Sequence, residues 1–490
     1  MRGSRPNVVL IMSDQHNPHV MGCAGDRVIR TPNLDALAGE GIQLTNVYCP
    51  YPLCVPSRMA FMAAQYASAL GVYGNGDALA AEVPTFAHAL GAGGCEAVLC
   101  GRMHFVGPDQ FHGFERRIVG DCQTEVLTPE ILGSGNRRTN GQTKYAVEVS
   151  GYGRTGHEFF DRVVTGKACD FISSRRAGER PYVLVVGYML PHNPLICSRE
   201  LFDYYMDRVT LPEAERRSDV HPAVRKWRER RGCYEITPEQ ARRGRAAYYG
   251  LVEELDRNIG EVVRAARSSP QGKETVIIYC SDHGDLAGEH GMWWKSNFYE
   301  GSVRVPFIIS QPGTLARGGS VDAVTSLVDV GPTVLDLLGA PALPDVAGKS
   351  FAGFLRGERV DDWPNEVFSE CLGFHGDRPS CMLRSGPWKL IYYDEMRSCQ
   401  LFNLPEDPGE VRDLAGDPAH KGVVEELLAK IARRWSAQRM LDENARAERA
   451  RALLHRCGHP LMPHDVTCGI DQIEAHNEFN FDQLPWQPGR

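Results

Sequence analysis

Five short apolar runs constrain this chain more than any other feature. They are NVVLIMS at 7–13, EAVLC at 96–100, PYVLVVGYM at 181–189, ETVIIYCS at 274–281 and VPFIIS at 305–310. Each has the length and continuity of a buried strand. Helical apolar spacing fills the gaps between them. PNLDALAGEG follows Thr31, a good cap, with Pro32 at the first helical position. Residues 239–268 read as a long amphipathic helix, and 324–340 as a helix interrupted by Gly-Pro. Strands alternating with helices predict an α/β fold, a large central and mostly parallel sheet sandwiched by helices.

The pattern changes near residue 366. EVFSECLG, SCMLRSGPWKLIYY and CQLFNL read as short strands joined by turns, and GVVEELLAKIARRWSAQ as the helix that follows. The expected organisation is a catalytic domain over 1–365 and a small antiparallel sheet with a packed helix over 366–440. A tail over 441–490, rich in Asn, His, Pro and Gln, reads as irregular and suited to packing on a neighbouring subunit.

Ligands of open α/β sheets bind beyond the carboxyl ends of the strands. Here four strands empty into SDQH (13–16), GRMHF (101–105), PHNP (191–194) and SDHGD (281–285). Asp14, Gln15, Asp282 and His283 supply mostly oxygen donors, which suit a hard divalent cation such as Ca²⁺, Mg²⁺ or Mn²⁺. Arg102, His104, His192 and Lys295 gather positive charge and proton carriers, as an anionic substrate requires. Cys54 stands where CPYPLCVPSR turns into a helix, with Arg58 one turn on. A helix N-terminus lowers a thiol pKa and favours anions.

Composition narrows the partners. The net charge of −8 implies no broad basic face for nucleic acid, and RKWRERR at 225–231 reads as a solvated helix face. No apolar stretch approaches the ~20 residues that span a bilayer, and VVLIM is too short for a signal-peptide core. The 15 cysteines form no CxxC pairs, which argues against a disulfide framework or a structural zinc site. The expected location is the cytoplasm.

The stretch Cys54-Val-Pro-Ser-Arg58 matches C-x-P-x-R, the modification signature of the sulfatases, and the chain resembles that family of the alkaline-phosphatase superfamily over most of its length. RPNVVLIMSDQ, TPNLDALAGEGIQLTNVYC, CVPSR, GGCEAVLCGRMHF and SDHGDLAGEHGMWWKSNFYEGSVRVPFII fit the family's motifs in order. The resemblance implies an alkaline-phosphatase-like fold and a formylglycine made from Cys54 by a formylglycine-generating enzyme, its hydrate being the nucleophile. It implies metal ligation, by Ca²⁺ ahead of Mn²⁺ or Mg²⁺, through Asp14, Gln15, Asp282, His283 and an oxygen of modified Cys54. It also implies that Arg58 steadies the hydrate, that Lys295, His192 and Arg102 contact the substrate anion, and that His104 handles the second hydroxyl. His192 would protonate the leaving alcohol, with the roles of the two histidines open to exchange. Position 102 is Arg where the signature usually has Lys.

GRMHFVGPDQFHGFERR and the VYGN around Asn75 are similar to choline sulfatases, and Glu370 is placed like the family's substrate-side carboxylate. A quaternary ammonium needs an aromatic face, yet the segment after Arg117, IVGDCQTEVLTPEILG, holds none. The expected reaction is hydrolysis of small organic or aryl sulfate esters by a homo-oligomer. A phosphonate monoester or phosphodiester hydrolase with the same site, or a choline sulfatase proper, stands as the alternative. A non-catalytic anion-binding relative would have lost ligands that are all present here.

Overall fold

The computed structural model describes residues 5–122, 141–212, 220–315, 317–373, 378–457 and 478–479. All five apolar runs form strands of one eight-stranded sheet. Its strands in chain order are β1 (Val8–Asp14), β2 (Ile42–Leu44), β3 (Glu96–Gly101), β4 (Arg116–Val119), β5 (Tyr182–Pro191), β6 (Val276–Ser281), β7 (Phe307–Ser310) and β8 (Gly319–Val321). The spatial order is β8-β2-β7-β6-β1-β5-β3-β4. β1 lies at the centre, parallel to β5 and β6, with Val8 opposite both Val183 and Val276. Every residue of β1 and β5 is buried. That is why these strands read as continuous apolar runs rather than as alternation. β7 is antiparallel to both of its neighbours, the departure that makes the sheet mostly rather than wholly parallel.

The helices that matter for the site are α1 (Pro32–Glu40), α2 (Cys54–Ala63), α3 (Gly156–Ser174), α4 (Pro238–Ser268) and α5 (Val330–Leu338). α4 packs on α1, α3 and β5. It begins with a capping box, Thr237 and Gln240 satisfying each other's backbone N–H, and with Pro238 at its first position. Two details depart from the sequence reading. Thr31 precedes Pro32, but its hydroxyl accepts from Gly22 N and donates to Asp35 instead of capping α1. Pro332 falls in the first turn of α5, where its missing N–H interrupts nothing.

The second sheet is an antiparallel meander of β9 (Glu366–Cys371), β10 (Ser380–Ser385), β11 (Trp388–Tyr393) and β12 (Ser398–Asn403). Leu427 and Ile431 of α6 (Lys421–Arg434) close over Leu383, Leu390 and Leu401. The chain stays helical well into the segment read as irregular, because α7 runs over Ala437–Arg456. Glu478–Phe479 pairs with Gly153–Arg154. The rest of the 441–490 segment beyond Cys457 lies outside the described residues, as does 123–140, which holds most of the stretch without aromatics. Among the described residues no helix is long and apolar enough to cross a membrane.

Candidate active site

The four strand ends converge, and α2 points its first residue at them. Cys54 opens α2 after Leu53, which offers no side-chain cap. Asn75 does this from a distance, its Oδ1 accepting from Val55 N at 3.1 Å. At the sulfur, Lys295 Nζ stands 3.0 Å away, His283 Nε2 3.3 Å and Asp14 Oδ1 3.6 Å. Lys295 also donates to Gln15 Oε1 at 2.6 Å. Close backbone approach makes this convergence possible. A Cβ on Gly187 of β5 would lie 1.8 Å from the Arg102 carbonyl oxygen, so glycine lets the end of β3 pass.

Arg58 and Arg102 organise the carboxylates. Arg58, with no exposed surface, donates from Nε to Asp282 at 2.9 Å and from Nη2 to Asp14 at 3.3 Å. It also holds the backbone carbonyls of Arg102 and Ser13, so its contacts are with the carboxylates and the strand ends. Arg102 Nε meets Asp14 Oδ2 at 2.7 Å, Nη1 meets Asp121 at 3.0 Å and Nη2 donates to His104 Nδ1 at 2.8 Å. Asp121 then receives the His104 N–H. Asp121 escaped the sequence reading because it lies just past β4, whose RRIV carries too little apolar pattern to be read as a strand.

Both site histidines have Nδ1 engaged, His192 with the Asn193 carbonyl at 2.6 Å and His104 with Arg102. This leaves Nε2 of each as the ring nitrogen able to exchange a proton, and both imidazoles act on the residue-54 thiol. His104 is partly exposed and His192 buried. Gln15, His104, Trp294 and Ser296 all have positive φ, at 71°, 60°, 66° and 63°. Non-glycine residues in this region cost of order 1–3 kcal/mol each and gather where a structure over-determines a site. Two of them flank Lys295, and Asn297 fixes that turn by accepting from Tyr299 N.

The electrostatics favour anions at residue 54. Burial would raise the Cys54 thiol pKa, but Lys295, His283 and hydrogen bonds from His104 and His192 hold it well below the ordinary value. Burial and Cys54 would raise Asp14, yet Arg102, His192 and Lys295 pull it far down. Burial raises Asp282. His283 would be pushed down by burial, but the Asp282 carboxylate pulls it up.

Asp14, Asp282, His283 and Cys54 place four donor atoms within 4.8 Å of one another, all buried. The set fits a divalent cation. Two carboxylates supply hard oxygens, and the Gly284 carbonyl fixes His283 through Nδ1, leaving Nε2 as the donor. Gln15 sits beside this group with its amide oxygen on Lys295. The two residues read as substrate contacts each have a partner within the chain. Asn75 holds the start of α2, as above. Glu370 has no exposed surface, accepts from Ser68 N at 2.8 Å and is pushed up to about 7 by burial.

The sulfatase family model matches residues 6–340, and the C-terminal N-sulphoglucosamine sulphohydrolase model matches 288–437. A choline-sulfatase of Rhizobium meliloti (strain 1021) is 33% identical over 85% of this chain and 84% of its own length. An arylsulfatase of Clostridium perfringens (strain 13 / Type A) is 29% identical over 86% and 93%. The crystal structure of a phosphonate monoester hydrolase of Agrobacterium radiobacter superposes with a TM-score of 0.71 at 23% identity, covering 90% of this chain and 96% of that one. The last match shows the shared alkaline-phosphatase-like fold.

Proposed function

Because the chain belongs to the sulfatase family and is accordingly a sulfuric ester hydrolase, we propose that it cleaves small organic or aryl sulfate esters with a formylglycine formed from Cys54. The observation that carries this reading is the contact of Lys295, His283 and Asp14 with one buried sulfur. A formylglycine-generating enzyme would convert that thiol to an aldehyde with dioxygen as oxidant and an external thiol as co-reductant, the sulfur leaving as hydrogen sulfide and water being formed. Asp14, Gln15, Asp282 and His283 would hold the cation, Ca²⁺ on the family resemblance, with an oxygen of modified residue 54. The hydrated aldehyde would supply a nucleophilic oxygen, and the cation would act as a Lewis acid toward it and toward the sulfuryl oxygens.

The chain's own residues do the rest. Burial would lower the Lys295 pKa, but the Cys54 thiol before its conversion, and Asp14 and Asp282 throughout, raise it. Lys295 is placed to meet charge that grows on the ester. Arg102 keeps Asp14 ionised and His104 oriented. His104 and His192, each with Nδ1 engaged, are the proton carriers for the leaving alcohol and for release of sulfate. Which one serves the alcohol is read from how steeply the rate of each alanine variant depends on leaving-group acidity. Among the described residues the cysteines are free thiols, which suits a reducing compartment such as the cytoplasm. Leu453 and Leu454 of α7 are exposed, a surface suited to a homo-oligomer.

The test compares rates on an aryl sulfate, choline sulfate and a phosphonate monoester, with Cys54→Ala as blank. A sulfate ester turned over fastest, and a residue-54 peptide carrying the aldehyde by mass spectrometry, are the expected results. A phosphonate preference, or undiminished activity in Cys54→Ala, overturns the proposal.

A further inference from the structure

The loop that caps α2 is held from the far end of the chain. It reads Tyr73-Gly-Asn-Gly-Asp77, so Asn75 stands between two glycines. Glycine fixes chain direction poorly, and a Cβ on Gly76 would meet nothing within 4 Å. The aim of the Asn75 amide at Val55 N is therefore set by the residues on either side, Tyr73 and Asp77, both buried. Asp77 Oδ2 accepts from Tyr73 N at 2.7 Å and from Gly74 N at 2.8 Å, which closes the turn. The Tyr73 carbonyl accepts from Tyr51 Oη at 2.6 Å. Tyr51 lies three residues before Cys54, and Val55 one after it. The loop thus grips the segment that carries residue 54 on both sides.

Both anchors of this loop are held by α7. Glu443 accepts the Tyr73 hydroxyl, and the Arg451 guanidinium pairs with Asp77 Oδ1. Eight residues apart, Glu443 and Arg451 share one side of the helix. Arg439 donates to Glu443 Oε1 at 2.7 Å, while the tyrosine takes Oε2. A helix that completes a core attaches differently. Met440 is buried, but from residue 441 to 456 no described side chain is. α7 also lies almost wholly beyond the segments that match the sulfatase models, the second of which ends at residue 437.

We propose that α7 is a clasp that sets the position of residue 54, with Glu443 and Arg451 as positioning residues acting through Tyr73, Asp77 and Asn75. Its effect on turnover rests on the sulfate-ester reading of the site. Its effect on the Val55 hydrogen bond does not.

The experiment uses the full chain. Arg451→Ala and Glu443→Ala are made alone and with Asn75→Ala. Arg451→Lys keeps the ion pair, and Arg449→Ala is an exposed control on the same helix. Steady-state kinetics on an aryl sulfate are corrected for the aldehyde content of residue 54 by mass spectrometry. Hydrogen exchange is followed in the peptide that contains Val55. Arg451→Ala is expected to lower kcat by about tenfold, within the ~10²-fold that a misplaced reacting group can cost, with KM unmoved and protection lost at Val55. Arg451→Lys should restore both, and Arg449→Ala should change neither. In the Asn75→Ala background, Arg451→Ala should lower kcat less than about twofold further, because both act through one contact. Unchanged kcat in Arg451→Ala and Glu443→Ala, or losses fully additive with Asn75→Ala, overturn the proposal. If wild type turns over no sulfate ester, the function reading has failed and exchange judges the clasp alone. Faster exchange at Val55 in Arg451→Ala then upholds it, and unchanged exchange removes it.

Discussion

Two buried knots of charge lie close together in the chain and differ in what they are for. One surrounds Cys54 and includes Lys295. The other begins at Glu300, where Lys389 Nζ is held by Glu300 at 2.8 Å and by Glu410 at 2.7 Å. Glu300 also accepts from Tyr48, and Glu410 Oε2 from the Glu300 N–H. The second knot is closed. Its charges face one another across the junction between β11 and the residues that follow Lys295. The first is centred on an ionisable sulfur with cations and imidazoles turned toward it, at the carboxyl ends of four strands. Burial of charge is therefore not itself a sign of a site. The informative features are convergence on one atom, backbone strain beside it and a position beyond the strand ends.

The comparison breaks most sharply at residue 54 and its lysine. Cys54→Ala should abolish turnover and shift unfolding free energy by only about 1 kcal/mol, since a small buried side chain is replaced by a smaller one. Lys295→Met should lower kcat by roughly 10²–10³-fold, as loss of one charge-stabilising donor does elsewhere. Rates and urea midpoints on the same preparations check both. The second knot should answer the other way. Lys389→Met takes from buried Glu410 its ion-pair partner and leaves Glu300 with Arg304 at 3.5 Å, and should cost about 3–5 kcal/mol, with kcat per folded molecule unchanged. A Lys389 variant that stays stable but loses activity would show that the two knots are one functional network.

The sequence made some of this division legible. The apolar runs revealed β1, β3, β5, β6 and β7, because strands buried on both faces need no alternation. Their polar exits pointed to Asp14, Gln15, Arg102, His104, His192, Asp282 and His283, all of which the fold brings to one centre. The short strands β2 and β8 left no comparable trace, since three residues carry too little pattern. Asp121 was missed because β4, RRIV, holds too little apolar pattern to be read as a strand. Asn75 and Glu370 were named from the family resemblance, but their contacts join residues 20 and 302 positions apart and no local pattern encodes them. Residues 441–456 look polar and irregular in sequence, yet they are good helix formers and continue α7.

Glu370 sharpens the comparison as a buried carboxyl paired with no cation in either knot. Burial raises its pKa from 4.5 to about 7. The folded state therefore binds its proton more tightly than the unfolded chain does. Its contribution to stability is fully present below about 4.5 and is lost as pH rises through about 7, on the order of 3 kcal/mol in all. Glu370→Gln keeps the shape and the Ser68 contact but cannot ionise. Unfolding curves at about pH 5 and about pH 8 should differ less in the variant than in wild type. An undiminished difference would assign that pH dependence to other groups.

Asn75 gives the smallest effect and the finest division. Its carbonyl holds Val55 N, so Asn75→Ala removes the polar cap of the helix that presents residue 54. A lost cap costs about 0.5–2 kcal/mol. Asn75→Asp should keep that stability, because a carboxylate accepts the same bond and favours a helix N-terminus. A capping role predicts a stability loss in the alanine variant, recovery in the aspartate variant and a kcat that follows α2. A substrate contact predicts the reverse: stability unmoved by either change, KM raised by both, and aspartate worse than alanine because it places negative charge beside an anionic ester. Measuring urea midpoint and KM on both variants separates the two, and the Val55 hydrogen bond places the expectation with the cap.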